Sequence, residues 1–175
     1  MRIIIITGNK SAGKTTLVGS LISRAEQSNL NFDGIISRAV FDFKGEKTGF
    51  ESVRLSDKKT ELLCHSGLVA KTSTFKYGFS AQAFSLGESF TGDNFPETFF
   101  LDEVGILEAD NQGWSELLRR LLKSNVKVLV LSLRLSVLDK IIELYQFHNS
   151  IVYKIDSENE IAKLTDEISA QISID

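Results

Sequence analysis

Ile3-Ile4-Ile5-Ile6-Thr7-Gly8-Asn9-Lys10-Ser11-Ala12-Gly13-Lys14-Thr15 is the stretch on which the reading of this chain turns. Four β-branched residues in succession mark a strand buried on both faces, because a strand with a solvent face would alternate. Beyond Thr15 the period changes. Leu17, Val18, Leu21, Ile22 and Ala25 recur at helical spacing, so residues 14–28 read as an amphipathic helix. Between strand and helix lies a loop with glycine at 8 and 13 and Lys-Thr at 14 and 15.

The chemistry of such a loop follows from its geometry. Gly8 and Gly13 are expected to let the backbone turn sharply, aiming successive N–H groups at phosphate oxygens. The helix beginning near Lys14 adds its positive end. Lys14 can reach β- and γ-phosphates, the Thr15 hydroxyl can ligate Mg2+, and Thr16 is placed to reach an α-phosphate. Gly8, Asn9, Lys10, Ser11, Ala12, Gly13, Lys14, Thr15 and Thr16 are therefore the candidate contacts to a nucleoside triphosphate. Lys10 also fits a solvated loop lysine that touches no ligand.

The rest of the chain repeats the alternation after an interruption. Residues 34–41 and 48–53 read as the arms of a β-hairpin around Lys44-Gly45-Glu46-Lys47, and residues 60–95 as short strands and loops. Phe99-Phe100-Leu101-Asp102 resumes the buried-strand pattern. Trp114, Leu117, Leu118, Leu121 and Leu122 form a helical stripe, and residues 126–133 another strand. A helix through Leu138, Ile141, Ile142 and Tyr145, a strand at 151–153 and a helix through Ile161, Leu164, Ile168 and Ile172 complete the series. Alternating strands and helices imply an α/β fold, a mostly parallel sheet with helices on both faces. The expectation is one domain over residues 1–175 with a hairpin-containing insertion at 31–96.

In sheets of this kind ligands bind at the carboxyl ends of the strands. Asp102 and Glu103 end one strand. Asp102 is the candidate magnesium ligand beside Thr15, and Glu103 the candidate base for an attacking water. Both acids can serve one site only if the chain turns after Asp102, since successive strand residues face opposite ways; Gly105 is the expected turn. A further cation is needed for the charge on a transferred phosphoryl group, and Arg134, just beyond a strand, is the candidate. Arg38 and Lys47 on the hairpin are alternatives.

Composition excludes several classes. A chain of 175 residues with 42% hydrophobic and 25% charged residues is long and apolar enough to bury a core unaided. Its single cysteine, Cys64, and its two histidines lack zinc spacing. A net charge of −3 argues against nucleic acid as partner. The apolar start is too short for a secretory signal and no run approaches a membrane span, so the expected location is the cytoplasm.

Several stretches together resemble the small P-loop nucleoside-triphosphatases first described from thermophiles, also called cancer-related nucleoside-triphosphatases. The carriers are Gly13-Lys14-Thr15-Thr16-Leu17, Gly34-Ile35 with Gly45 and Gly49-Phe50, Lys76-Tyr77-Gly78 with Ala83-Phe84, Asp102-Glu103-Val104-Gly105-Ile106-Leu107-Glu108, and Glu158-Asn159. The resemblance implies a RecA-like αβα core, slow hydrolysis of several nucleoside triphosphates, and working roles for the loop lysine and threonine and the acidic pair. Two positions depart from the pattern: Ile106 replaces a lysine and Glu160 a basic residue. The leading expectation is a magnesium-dependent hydrolase of the β–γ bond of ATP, GTP and other nucleoside triphosphates. The rivals are a kinase that passes the phosphate to a small acceptor, with residues 31–96 as acceptor pocket or lid, and a nucleotide-binding adaptor with negligible turnover.

Overall fold

The alternating pattern resolves, in a computed structural model that describes residues 1–68, 77–92 and 94–173, into one eight-stranded sheet. Its strands are β1 (Arg2–Gly8), β2 (Phe32–Phe41), β3 (Lys47–Arg54), β4 (Thr60–His65), β5 (Gly78–Phe79), β6 (Thr98–Val104), β7 (Val128–Arg134) and β8 (Ile151–Lys154). They lie in the order β5-β4-β3-β2-β6-β7-β1-β8. The pairs from β2 through β6, β7 and β1 to β8 are parallel, and β2 to β5 are antiparallel. The helices are α1 (Lys14–Gln27), α2 (Ile106–Ala109), α3 (Ser115–Leu122), α4 (Leu138–Tyr145) and α5 (Ile161–Ile172). This is the mostly parallel, RecA-like αβα arrangement the sequence led us to expect.

The period-2 geometry of the central strands divides their side chains between two cores. Ile4, Ile6, Phe100 and Val130 pack with α1 and α5 through Leu17, Leu21, Leu164 and Ile168. Ile5, Phe99, Leu101, Leu129 and Leu131 pack with α3 and α4 through Leu117, Leu118, Leu121, Ile141 and Tyr145. An unbroken apolar strand is thus required, because each face meets a helical layer. No helix among the described residues is long and apolar enough to cross a membrane.

Residues 31–96 are tied into this sheet from their first strand. Phe32 to Ile35 of β2 pair in parallel with Thr98 to Leu101 of β6. β2 then runs on past the end of that pairing, with β3 beside it out to Phe41. Because β2 and β6 run the same way, the hairpin projects beyond the carboxyl edge of the parallel strands. Its turn is held by Asp42, whose Oδ1 accepts the N–H groups of Lys44 at 2.8 Å and Glu46 at 2.9 Å. Of the stretch read as short strands and loops, Ala81–Ser89 is instead a run of 3-10 turns. Buried Ala83 and Leu86 are three residues apart, a spacing that superimposes side chains at three residues per turn. Lys76 lies outside the described residues.

One correction concerns the α3 stripe. Leu118 is fully buried, whereas Leu122, the last residue of the helix, is 36% exposed. Leu118→Ala should therefore cost about 2–5 kcal/mol in urea unfolding, and Leu122→Ala less than about 1 kcal/mol. Equal costs at the two positions would contradict this placement of the helix.

Candidate active site

Between β1 and α1 the loop is built on two left-handed residues, Ser11 with φ 62° and Gly13 with φ 99°. Gly8 acts differently from the expectation. Its φ is not positive; rather, a Cβ there would lie 2.3 Å from the Ile155 carbonyl oxygen, so glycine is demanded by close approach of the chain after β8. The start of α1 has no side-chain cap and no acidic residue in its first turn. Its N–H groups and the positive end of a 14-residue helix are left facing the loop, the arrangement that binds phosphate. Lys14 is buried, and its Nζ donates to the carbonyls of Gly8 at 3.1 Å and Asn9 at 2.8 Å. Burial lowers its pKa from the usual lysine range; Glu103 and Asp102 pull it back up and Arg134 pushes it down. Lys10 is exposed, while Thr15 and Thr16 open onto the same cleft.

Asp102 sits 1% exposed at the end of β6. Its Oδ2 accepts the Thr15 hydroxyl at 3.1 Å and the Ser37 N–H at 3.3 Å, and its Oδ1 accepts the Ser132 hydroxyl. Burial raises its pKa to about 6, reinforced by the Glu103 charge and resisted by these hydrogen bonds. A hydroxyl and a carboxylate oxygen within hydrogen-bond distance are the hard-oxygen donors that magnesium takes. Among the described residues no group of three or more His, Cys, Asp or Glu could hold a metal ion. Thr15 and Asp102 therefore fit a cation that takes its remaining ligands from phosphate and water.

The turn required after Asp102 occurs at Glu103 itself, not at Gly105. Glu103 has φ 62°, and the β6–β7 register slips between Leu101 and Val104. A left-handed non-glycine residue is costly, and such strain collects at functional sites. Its N–H donates to Ser132 Oγ at 3.1 Å. The Glu103 side chain makes no hydrogen bond or ion pair among the described residues, and it lines the cleft.

That cleft, about 480 Å³, contains Lys14, Thr15, Glu103 and Arg134 together. Arg134, in register with Gly8 across β1 and β7, is exposed and without an ion pair among the described residues. Arg38 is instead paired with Glu51, and Arg54 with Asp57; neither lines the cleft, whereas Lys47 does. Ile106 lines the cleft where the resembled pattern carries a lysine. Glu160 has a local role: its Oε2 accepts the N–H groups of Asp156 at 2.8 Å and Ser157 at 3.1 Å.

Three residues take their roles only from the structure. Ser132 hydrogen-bonds both Asp102 and Glu103; a lone serine in the apolar run of β7 was the available signal. Ser37 contributes through its backbone, which leaves no trace in residue type. Glu108, 2% exposed, accepts the N–H groups of Gly105 at 2.7 Å and Trp114 at 2.8 Å, holding the chain after the acidic pair against the start of α3.

The model of one protein family, described as NTPase, matches residues 3–172. No curated protein matches the chain. Two solved structures share its fold. The solution structure of a human cancer-related nucleoside triphosphatase gives a TM-score of 0.74 at 19% identity, over 99% of this chain and 98% of that one. The crystal structure of THEP1 from the hyperthermophile Aquifex aeolicus gives 0.73 at 18%, over 98% and 99%.

The buried carboxyl sets a pH dependence. A carboxyl whose folded pKa is raised to about 6 stabilises the fold below its unfolded value, and that contribution is lost as pH rises through about 6. The stability of wild type minus that of Asp102→Asn should fall by on the order of 2–3 kcal/mol between pH 4 and 7.5; a flat difference would refute the burial argument. Glu103→Gly should stabilise the apo protein by about 1 kcal/mol through release of backbone strain, and a loss of stability would show that the side chain is holding the turn.

Proposed function

This chain belongs to the NTPase family, and from that premise we propose that it is a magnesium-dependent hydrolase of the β–γ bond of ATP, GTP and other nucleoside triphosphates. The observation that carries the reading is the Thr15–Asp102 hydrogen bond of 3.1 Å beneath the uncapped start of α1, with Glu103 beside it. The loop N–H groups bind the phosphates. Lys14 exchanges its bonds to the Gly8 and Asn9 carbonyls for phosphate oxygens, so the loop rearranges little on binding. Thr15 and Asp102 hold magnesium, which when bound neutralises charge on the phosphate oxygens. Arg134 supplies a further cation. Glu103 orients the attacking water and takes its proton. The same reading takes residues 1–175 as one domain acting on free nucleotide in the cytoplasm, with no membrane or nucleic acid involved.

An adaptor with negligible turnover is favoured by one observation, the apolar Ile106 on the cleft wall. The two readings separate at Glu103. Glu103→Gln keeps size and hydrogen bonding but not proton affinity, so phosphate release should fall by about 100-fold or more while nucleotide affinity holds or rises. Release at the wild-type rate would remove Glu103 as base; no release from wild type with any nucleoside triphosphate would favour the adaptor.

A further inference from the structure

The cleft has two chemically different ends. One is the phosphate loop. At the other, Phe50 of β3 pairs with Cys64 of β4, which pairs with Phe79 of β5. Directly paired residues project to one face of a sheet, so the three stand as a row, and all line the cleft. Phe84 and Trp114, with ring centroids 4.8 Å apart and planes at 74°, contribute a second aromatic element to its wall. Lys47 stands over the Phe50 ring at 4.6 Å. Glu103 and Arg134 line the same cleft as this row.

The orientation of a bound triphosphate decides what meets that row. Lys14 and Thr15 serve its β- and γ-phosphates and Thr16 its α-phosphate. The γ end therefore faces Asp102, Glu103 and Arg134. The nucleoside leaves past Gly13, whose missing Cβ would lie 3.2 Å from Glu158 Cγ and 3.3 Å from Ile161 Cδ1. The strand order puts the row on β3 to β5, across β2 from Asp102 and Glu103 of β6, whereas Glu158 follows β8 at the opposite edge of the sheet.

We propose that the aromatic end of the cleft seats a second ligand, a planar heteroaromatic alcohol, whose hydroxyl accepts the γ-phosphoryl group in place of water. The inference rests on the hydrolase reading for the position of the γ-phosphate. Rings in the wall favour a flat π-surface, and Lys47 offers a cation to polar substituents at the edge. In the transfer step the acceptor oxygen bonds to the γ-phosphorus as the bond from that phosphorus to the β–γ bridging oxygen breaks. The hydroxyl proton passes to the Glu103 carboxylate, and the electron pair leaves with the nucleoside diphosphate.

Trp114 is the single tryptophan, so its fluorescence reports on this end of the cleft. The protein, with magnesium and a non-hydrolysable β,γ-methylene ATP, is titrated with the ribonucleosides and with 3-hydroxymethylpyridine. At least one should quench Trp114 saturably without displacing the ATP analogue. The same compound should take up label from γ-phosphate-labelled ATP, and Phe79→Leu should lower the ratio of transferred to released phosphate by about tenfold. Phosphate release with no transfer to any probe overturns the acceptor site and leaves the hydrolase standing. Transfer without release in acceptor-free buffer supports the site and overturns the hydrolase. Quenching that disappears when the ATP analogue binds identifies the aromatic end as the nucleotide's own base pocket and also overturns the proposal. Should Phe79→Leu fail to fold, the wild-type titration and transfer assay decide alone.

Discussion

The Asp102 carboxylate is the constraint around which the other parts of this structure are arranged. A carboxylate at 1% exposure loses nearly all its hydration, a cost of several kcal/mol unless protein donors replace it. Here the donors come from three elements that are remote in sequence: Thr15 from α1, Ser37 from β2 and Ser132 from β7. Burial still prevails over those donors, leaving the carboxyl with a pKa near 6. A group held in that condition has affinity to spare for a cation, and the phosphate loop lies at its side.

The same point organises the neighbours. Ser132 donates to Asp102 and accepts from the Glu103 N–H, so one hydroxyl sets both the buried acid and the left-handed turn that follows it. That turn reconciles two requirements in conflict. An extended strand sends adjacent side chains to opposite faces, yet the proposed chemistry needs Glu103 in the cleft directly after Asp102, which is buried beneath it. Glu108 closes the arrangement from below by gripping Gly105 and Trp114. It is 2% exposed and both its oxygens are taken by these N–H groups, so it braces the chain after the acidic pair.

Above this floor the molecule adds something a bare αβα layer lacks. β2 outruns its parallel partner, carries β3 to β5 past the carboxyl edge of the sheet, and brings an aromatic row to the cleft that the phosphate loop opens. Arg38, a candidate cation on the hairpin, is paired with Glu51, and Arg54 with Asp57. Among the described residues the cations lining the cleft are Lys10, Lys14, Lys47 and Arg134, and Ile106 extends its apolar wall.

What the sequence by itself determined is what depends on periodicity and on local backbone chemistry. The isoleucine run, the Gly13-Lys14-Thr15 loop, the α1 stripe and the Phe99-Phe100-Leu101-Asp102 strand could be read directly, because each encodes its partner environment in residue type. The hairpin was legible for the same reason, through the Lys44-Gly45-Glu46-Lys47 turn signal between two extended stretches. What only the tertiary structure decided is what depends on register and close approach: that β2 belongs to the parallel core, that Gly8 is there to admit the Ile155 carbonyl, that Glu103 makes its own turn. The 3-10 run at Ala81–Ser89 offered no sustained period to read. The roles of Ser132 and Glu108 could not be read in sequence because a hydrogen bond between residues 29 apart, or a carboxylate turned inward, carries no local pattern. Long-range pairing selects such residues, and only the assembled sheet shows which pairs are made.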